Sequence, residues 1–198
     1  MKNRFTTAFR PAAIAAALLF ITAIGAYAAT ITVTNTNDSG SGSLRDALAI
    51  ANDGDTINFA VTGTITLTTA ELQITHNVTI TGPGAASLSV NGNATFRVSH
   101  NFASNVTVSG LTITNGLGVS PGGGGIYNQG GLTLSNCTFT GNSASFDGGG
   151  IQNHGGTATV TNSSFTSKRV RPSDTSVPMT IPNPARTIPC FSNSPMMP

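Results

Sequence analysis

The stretch Val106-Thr-Val-Ser-Gly-Leu-Thr-Ile-Thr114 decides the fold, because its pattern recurs twice at a constant spacing. The recurrences are Leu132-Thr-Leu-Ser-Asn-Cys-Thr-Phe-Thr140 and Ala158-Thr-Val-Thr-Asn-Ser-Ser-Phe-Thr166. Four columns of this alignment are apolar except at Ser163: Val106/Leu132/Ala158, Val108/Leu134/Val160, Leu111/Cys137/Ser163 and Ile113/Phe139/Phe165. The four columns between them hold Ser or Thr throughout, which predicts short strands with an apolar inner face and a hydroxyl outer face.

A fixed period of this length predicts stacked structural units. If each unit is one coil, parallel hydrogen bonds join successive coils about 4.8 Å apart. Gly110, Asn136 and Asn162 share the corner column between two strands, where asparagine tolerates left-handed backbone angles and can bond the asparagine of the next coil. We therefore predict an all-β fold, a right-handed single-stranded parallel β-helix with a short N-terminal capping helix.

A second repeat supports this prediction. The sequence from Gly123 to Gly131 recurs from Gly148 to Gly156, at nearly the same spacing as the first repeat. It predicts a third inward strand and a second corner ladder at Ile126, Ile151, Asn128 and Asn153. The run Pro121-Gly-Gly-Gly-Gly125 alone is typical of a flexible linker. Its recurrence in phase favours a sharp corner with closely approaching coils.

The segment 1–28 is predicted to be a signal peptide. Lys2, Arg4 and Arg10 form a basic start, an apolar run spans 12–24, and Ala26-Tyr-Ala28 is a small-x-small cleavage site. The apolar run is shorter than the roughly 20 residues of a membrane span, although a retained N-terminal anchor is the alternative. We expect export, cleavage after Ala28 and an extracellular or bacterial cell-surface location.

The charge of the chain without this segment argues against nucleic acid as a partner. Residues 29–198 carry six Lys and Arg against seven Asp and Glu, a formal charge of −1. A basic footprint is absent. We also expect no integral membrane segment after cleavage, and the phased apolar columns argue against disorder.

Residues 29–60 are predicted to be an N-terminal cap of strand, helix and strand. Residues 30–35 alternate, and 43–52 present Leu44, Ala47, Leu48 and Ala51 on one helical face. Ser43 with Asp46 is a capping-box-like start. The β-helix coils are predicted over 61–167, with four or five coils between residues 54 and 166 and a less regular spacing between Asn77 and Asn105.

Two parts of the sequence resemble a known group of proteins. Ile31 to Asn52, followed by Asp55-Thr-Ile-Asn-Phe59, resembles the CSLREA-type cap of bacterial secreted, pectate-lyase-like β-helix proteins, with Gly42 for the Cys and Asp46 for the Glu. Gly123–Ile126, Gly148–Ile151 and Phe139-Thr-Gly-Asn142 resemble the GGAI and FxxN marks of polymorphic outer-membrane-protein repeats. The resemblance spans about residues 29–167 and implies a secreted or outer-membrane surface protein, often a long adhesin with a further C-terminal anchor.

The sequence changes character at residue 168. Residues 168–198 contain no glycine but seven of the ten prolines, and Lys168 stands where the repeat requires asparagine. We favour a shifted reading frame that makes this segment a non-native, Pro-rich disordered tail; a genuine Pro-rich linker is the alternative. Either way the coil ending at Thr166 is expected to have an open edge, prone to edge-to-edge self-association, aggregation or degradation.

No set of residues in the sequence forms a catalytic pattern, so no residue is predicted to be catalytic or to bind a cofactor or a metal. Hydrolysis of a glycosidic bond usually needs two facing carboxylates. Glu71 and Asp147 are the only acidic residues of the coils, several coils apart, and Arg97 is the only basic one. The sequence therefore favours a protein that is not an enzyme.

Other candidate residues are interpreted as structural. The dispersed histidines (His76, His100 and His154) match no zinc spacing and are expected to be solvated loop residues. Cys137 belongs to the inward ladder, Cys190 lies in the tail, and a disulfide has little support. Asn35–Asp38 and Asp53–Asp55 are expected to be turn and cap residues rather than calcium ligands. Corner and turn roles are also expected for the Asn-x-Ser/Thr positions Asn37, Asn77, Asn93, Asn105, Asn136 and Asn162.

Three functions remain open at this level. The first is a non-catalytic surface or secreted β-helix, the N-terminal fragment of an adhesin-like or structural protein whose coil face binds glycans or host or cell-surface proteins. The second is a fragment of a β-helical carbohydrate-active enzyme, a polysaccharide lyase or glycoside hydrolase. The third is a filler or broken gene product without activity.

Overall fold

The computed structural model describes residues 27–119, 122–145 and 148–166, together with the backbone of 179–180 and 186–187. Within these residues the chain is an all-β solenoid with one short helix. The elements in chain order are β1 (Thr30–Val33), α1 (Leu44–Ile50), β2 (Thr56–Phe59), β3 (Gly63–Thr66), β4 (Leu72–Ile74), β5 (Thr79–Thr81), β6 (Leu88–Asn91), β7 (Ser99–Asn101), β8 (Val106–Ser109), β9 (Thr112–Thr114), β10 (Leu117–Gly118), β11 (Ile126–Asn128), β12 (Gly131–Ser135), β13 (Thr138–Thr140), β14 (Ser143–Ala144), β15 (Ile151–Asn153), β16 (Thr157–Thr161), β17 (Ser164–Thr166), β18 (Met179–Thr180) and β19 (Arg186–Thr187).

Three sheets run along the solenoid, and the coils contribute a strand to each in turn. Sheet A contains β1-β2-β5-β8-β12-β16, sheet B contains β3-β6-β9-β13-β17, and sheet C contains β4-β7-β11-β15. All of these pairings are parallel, and β10 pairs with β14 at the corner between sheets B and C. The chain completes about five turns, which confirms the predicted parallel β-helix and its coil count.

The predicted apolar columns are the core. Leu132 lies between Val106 and Ala158 in sheet A, and all three are buried. Phe139 of sheet B is fully buried, and its ring stacks on that of Phe165 with centroids 4.6 Å apart. Period-two alternation thus places every second side chain inside, and the constant repeat spacing aligns the apolar residues between coils.

The polar exception in these columns is satisfied by hydrogen bonds. Ser163 is 3% exposed, and its Oγ accepts a bond from the Cys137 amide at 3.1 Å and donates to the Thr161 carbonyl at 2.8 Å. A buried hydroxyl without partners would be costly. Serine therefore replaces an apolar residue here without leaving an unpaired group.

The corner column has the backbone geometry that the sequence predicts. Gly110, Asn136 and Asn162 have φ values of 64°, 54° and 46°. Few residues other than glycine and asparagine adopt this left-handed region readily. The three corners therefore turn the chain from sheet A to sheet B at the same place in each coil.

A hydrogen-bonded asparagine ladder lies at the other predicted corner. The side-chain amide of Asn101 donates to Asn128 Oδ1 at 2.7 Å, and that of Asn128 donates to Asn153 Oδ1 at 2.6 Å. The prediction of a ladder at Asn128 and Asn153 is confirmed, and Asn101 adds a rung that the repeat did not reveal. Asn101 and Asn128 are fully buried, so the ladder also satisfies amides that water does not reach.

The glycine run is part of a coil rather than a linker. Gly123 and Gly148 have φ values of 68° and 71°. The Gly125 amide donates to the Gly149 carbonyl of the next coil at 3.0 Å. A Cβ on Gly125 would collide with the carbonyl of Gly150, so the close approach of two coils requires glycine there.

The predicted capping helix is present but shorter than 43–52. Helix α1 begins after Ser43, whose Oγ accepts a bond from the Asp46 amide at 3.1 Å, and ends at Ile50 before the extended Ala51. Asp46 Oδ2 in turn accepts a bond from the Gly42 amide at 3.3 Å, one residue earlier than a standard capping box. The shorter Asp side chain in place of Glu accompanies this difference.

An ion pair holds the cap on the first coil. Arg45 Nη2 lies 2.6 Å from Asp38 Oδ1, and its guanidinium also donates to the carbonyls of Ala70 and Glu71 at 2.7 and 2.9 Å. Asp38 Oδ2 accepts bonds from the amides of residues 68–69 at 3.2 and 3.0 Å. Burial by itself would raise the pKa of Asp38, but Arg45 and the bonds from residues 68–69 outweigh it and lower the pKa to about 2.

The last coil differs from the predicted fully open edge. Strand β18 pairs antiparallel with β17, and β19 pairs antiparallel with β16. Two short backbone segments of the tail therefore cover part of the edge of sheets A and B, so the prediction of an uncovered edge is wrong there. Apart from these two segments, 167–198 lies outside the described residues, and the frame-shift hypothesis and self-association stay predictions.

Candidate functional site

The outer face of sheet C carries the most varied chemistry among the described residues. Its strands align Gln73, His100, Tyr127 and Gln152 in one column. The outer faces of the later coils in sheets A and B present Ser and Thr instead. Successive rungs of a parallel sheet are about 4.8 Å apart, so this column forms a line along the solenoid axis.

Aromatic contacts link the rungs. The His100 ring stacks on Phe102 at a centroid distance of 3.7 Å and meets the edge of Tyr127 at 4.8 Å. Tyr127 stacks on His154 of the next coil at 5.8 Å. His100 Nε2 also lies 3.0 Å from Gln129 Oε1. We call His100, Phe102, Tyr127, Gln129 and His154 the sheet C stripe.

The stripe combines a buried support with accessible groups. Tyr127 is 3% exposed, whereas Phe102 is 46% exposed, and Gln129 and His154 are exposed as well. An apolar ring face beside amide and imidazole groups is suited to ligands that are apolar on one face and polar at their edges.

Arg97 fixes the backbone beside the stripe. Its side chain is 7% exposed, Nε donates to the Gly123 carbonyl at 2.9 Å, and Nη2 donates to the Gly122 carbonyl at 2.8 Å. Its guanidinium carbon also lies 4.9 Å from the centroid of the Tyr127 ring. A planar guanidinium with several fixed donors suits this multiple contact. Arg97 therefore joins the glycine corner to the stripe.

Glu71 completes the charge balance of the site. Its Oε2 lies 2.9 Å from Arg97 Nη1, and its Oε1 lies 3.3 Å from His100 Nδ1. The structure thus brings Glu71 and Arg97 together from adjacent coils, which the sequence alone did not predict. The interpretation of His100 as a solvated loop residue is wrong, because it lies between Glu71 and the aromatic rings.

Among the described residues of the coils, one carboxylate contributes to this arrangement. Glu71 is the one carboxylate in the described part of the coils, and both of its oxygens contact a partner. Asp147, the other acidic residue considered, lies outside the described residues. No group of three His, Cys, Asp or Glu within the described ranges is arranged to hold a metal ion.

The other candidate residues are spread over the molecule. His154 is exposed at one end of the stripe, and His76 contacts the Thr75 hydroxyl at 3.2 Å. Cys137 is a free, buried thiol in the core ladder, and burial raises its pKa. Cys190 lies outside the described residues.

The candidate calcium segments are used by the protein itself. Asp38 binds Arg45 and residues 68–69, while Asp53 Oδ1 accepts a bond from the Asn77 amide at 2.8 Å. Asp55 accepts bonds from two backbone amides. These three carboxylates therefore bond the cap to neighbouring coils and to the turn after α1.

The Asn-x-Ser/Thr positions are also mainly corner and turn residues. Asn136 and Asn162 are the left-handed corners, and Asn93 has a φ of 57°. Asn77 Oδ1 accepts a bond from the Asn105 amide at 2.7 Å. The Asn37 amide donates to Asn35 Oδ1 at 3.1 Å, a local turn contact.

The sequence did not reveal Phe102, Tyr127 and Gln129 as members of a site. In the column that contains Tyr127, the number of residues between successive rungs is larger than the core period from Gln73 to Tyr127 and smaller than it from Tyr127 to Gln152. Alignment on Asn101, Asn128 and Asn153 would have found it, because each precedes or follows a stripe residue by one position.

None of the helices in the described ranges has the length and apolarity needed to span a membrane. Comparison with protein-family models, curated proteins and solved structures found no match to this chain. The class that the fold defines is therefore the parallel β-helix, with a capping helix at its N-terminal end and a polar and aromatic stripe on one sheet.

Proposed function

We propose that this protein is a non-catalytic, exported β-helix of the adhesin-like kind that binds carbohydrate along sheet C. The observation that supports the proposal is the sheet C stripe, a line of aromatic, imidazole and amide side chains on an exterior otherwise rich in hydroxyls. The signal-like segment 1–28 supports delivery to the extracellular side of the membrane.

Carbohydrate fits the chemistry of the stripe. A sugar ring has an apolar C–H face that packs on an aromatic face, and hydroxyls at its edge that bond amides and imidazoles. Phe102 offers an exposed apolar ring, while Gln129 and His154 offer polar groups. Because the rungs repeat along the axis, an extended polysaccharide can contact several of them at once.

The support beneath the stripe suits binding without a moving part. Tyr127 is buried between His100 and His154, and Arg97 ties its surroundings to two backbone carbonyls. A preorganised surface loses little conformational entropy when it binds. The ligand therefore meets side chains that already contact one another.

The test is binding of the exported protein to a panel of acidic and neutral polysaccharides, measured by calorimetry. Phe102→Ala is expected to weaken binding by about tenfold, the loss of roughly one stacking contact of 1–1.5 kcal/mol. Thr133→Ala, at an exposed outer position of sheet A, is the matched control and is expected to leave binding unchanged. Equal binding by wild type and Phe102→Ala would contradict the proposed surface.

The rival function, a carbohydrate-active enzyme, makes a different prediction in the same assay. Hydrolysis or elimination would release new chain ends from the polysaccharide, and replacing Glu71 by Gln would abolish the release. Our proposal predicts that no chain ends form while binding persists. Turnover that depends on Glu71 would overturn the non-catalytic function.

A further inference from the structure

Asp55 is a buried carboxylate at the start of the first full coil. It is 3% exposed, and its Oδ1 accepts a bond from the Ala29 amide at 2.7 Å, while its Oδ2 accepts one from the Asn52 amide at 2.9 Å. The bonds from Asn52 and Ala29 lower the pKa of Asp55 below its ordinary value, so the group is ionised at neutral pH. The carboxylate thus joins the start of β1, the segment after α1 and the start of β2.

This charge has no arginine or lysine paired with it in the described part of the chain. The two arginines with described side chains, Arg45 and Arg97, pair with Asp38 and Glu71. The charge of His76 also acts on Asp55, but it has the smallest of the effects that lower the Asp55 pKa. Buried charges in proteins are normally paired. The group placed to supply a full positive charge in contact with Asp55 is the backbone nitrogen of Ala29.

We propose that Ala29 is the mature amino terminus and that its α-ammonium group forms an ion pair with the buried Asp55. The inference rests on the export in the proposed function. A secretory signal peptidase and water cleave the Ala28–Ala29 amide bond, Ala28 leaves as a carboxylate with residues 1–28, and the Ala29 nitrogen takes up protons to become an ammonium. The existing contact then joins two full charges instead of an amide and a carboxylate.

The positions around the cut agree with this role. Tyr27 is 92% exposed and Ala28 is exposed, so the bond is accessible and precedes the first packed strand. Ala29 is held through both backbone groups, because its carbonyl also accepts a bond from the Thr56 amide at 2.8 Å. Cleavage at this bond therefore leaves Ala29 in place and creates a charge at the point where Asp55 receives it.

The composition of the mature chain permits a direct test by amine labelling. Lys168 is the only lysine after residue 28, so a Lys168→Arg variant leaves the α-amine as the only primary amine. The exported Lys168→Arg protein is expected to have the mass of a chain that begins at Ala29. Acetylation of its α-amine is expected to be about tenfold slower in the folded protein than in urea, since pairing favours the unreactive ammonium form.

Two further variants separate the ion pair from general folding. Asp55→Asn in the Lys168→Arg background keeps an oxygen acceptor but removes the charge, and is expected to restore fast labelling. Asp53→Asn, an exposed neighbour whose carboxylate accepts the Asn77 amide, is the matched control and is expected to leave labelling slow. If Asp55→Asn does not fold, the ion pair is still tested by comparing the acetylation rates of folded and urea-unfolded Lys168→Arg.

The outcomes are distinct. A mature chain that begins elsewhere overturns the assigned terminus, and a chain that begins at Ala29 but labels equally fast when folded overturns the ion pair. Protein that keeps residues 1–28 and stays in the membrane would contradict both the ion pair at Ala29 and the proposed export. Polysaccharide binding is measured separately, so its failure alone leaves the ion pair standing.

Discussion

The cap and sheet C each contain an arginine that crosses from one coil to the next, but burial falls on opposite partners. In the cap Asp38 is the buried member, 7% exposed against 24% for Arg45. In sheet C Arg97 is the buried member, 7% exposed against 25% for Glu71. The two contacts even share a residue, because Arg45 bonds the backbone carbonyl of Glu71 and Arg97 bonds its side chain.

This difference indicates what each ion pair does. In the cap, the buried carboxylate of Asp38 accepts hydrogen bonds from backbone amides and hydroxyls of residues 68–69. It therefore holds that loop through the donor groups of the loop. In sheet C, the buried guanidinium of Arg97 donates hydrogen bonds to the carbonyls of Gly122 and Gly123. It therefore holds the glycine loop through the acceptor groups of that loop. In both places one buried charged side chain makes hydrogen bonds to backbone groups that the pairing of coils leaves without partners.

The largest effect is expected from Arg97→Ala. The substitution removes the bonds to two glycine carbonyls and to Glu71 and leaves a cavity, so the free energy of unfolding should fall by about 4 kcal/mol. Urea denaturation of the purified protein measures this loss. Arg45→Ala is the matched control, with a smaller expected loss because its side chain is more exposed. A loss no larger than that of Arg45→Ala would contradict the contrast between the two pairs.

An intermediate effect is expected from Asp38→Asn, about 2 kcal/mol at neutral pH. The pKa of Asp38 is lowered from 3.8 to about 2 in the folded protein, so its contribution is fully present above pH 4 and is lost as pH falls through 2. The stability difference between wild type and Asp38→Asn should therefore shrink over that window. Parallel pH profiles that never converge would show that the charge of Asp38 is not responsible.

The smallest effect is expected from Glu71→Gln, about 1 kcal/mol. Glutamine keeps one oxygen for Arg97 and leaves the backbone carbonyl that Arg45 uses, so the substitution removes the charge and replaces the oxygen that contacts His100. Urea denaturation at low and high salt measures the change, with Gln73→Glu as a charge control at the exposed neighbouring rung. A loss as large as that of Arg97→Ala would mean that charge, rather than the carbonyl contacts, governs the stability of this region.

The core could be predicted from the sequence because its signal is local and periodic. Val108, Leu134 and Val160 occupy the same place in successive rows, and parallel pairing needs only that such rows stack. The left-handed corners were equally visible, since asparagine and glycine are the residues that this geometry accepts.

The site was not predictable in the same way. Arg97 donates to backbone carbonyls, and because every residue has one, no sequence pattern marks these partners. Its acidic partner, Glu71, lies on a coil of irregular length. His100, Tyr127 and Gln152 follow coil lengths that vary, so their column emerges only when strands β7, β11 and β15 are paired. The side chains that meet on the outer face of sheet C depend on the lengths of individual coils, and the regular core pattern does not reveal those differences.

The in-register stacking of like rows has a consequence for how such a chain changes over time. Rows 106–114 and 132–140 pair residue against residue, so an inserted copy of one row would find matching partners on both sides. Unequal recombination between repeats in the gene can therefore lengthen or shorten the rod by whole coils while the core stays continuous. The length of the solenoid would then evolve by copy number, independently of the residues that form the sheet C stripe.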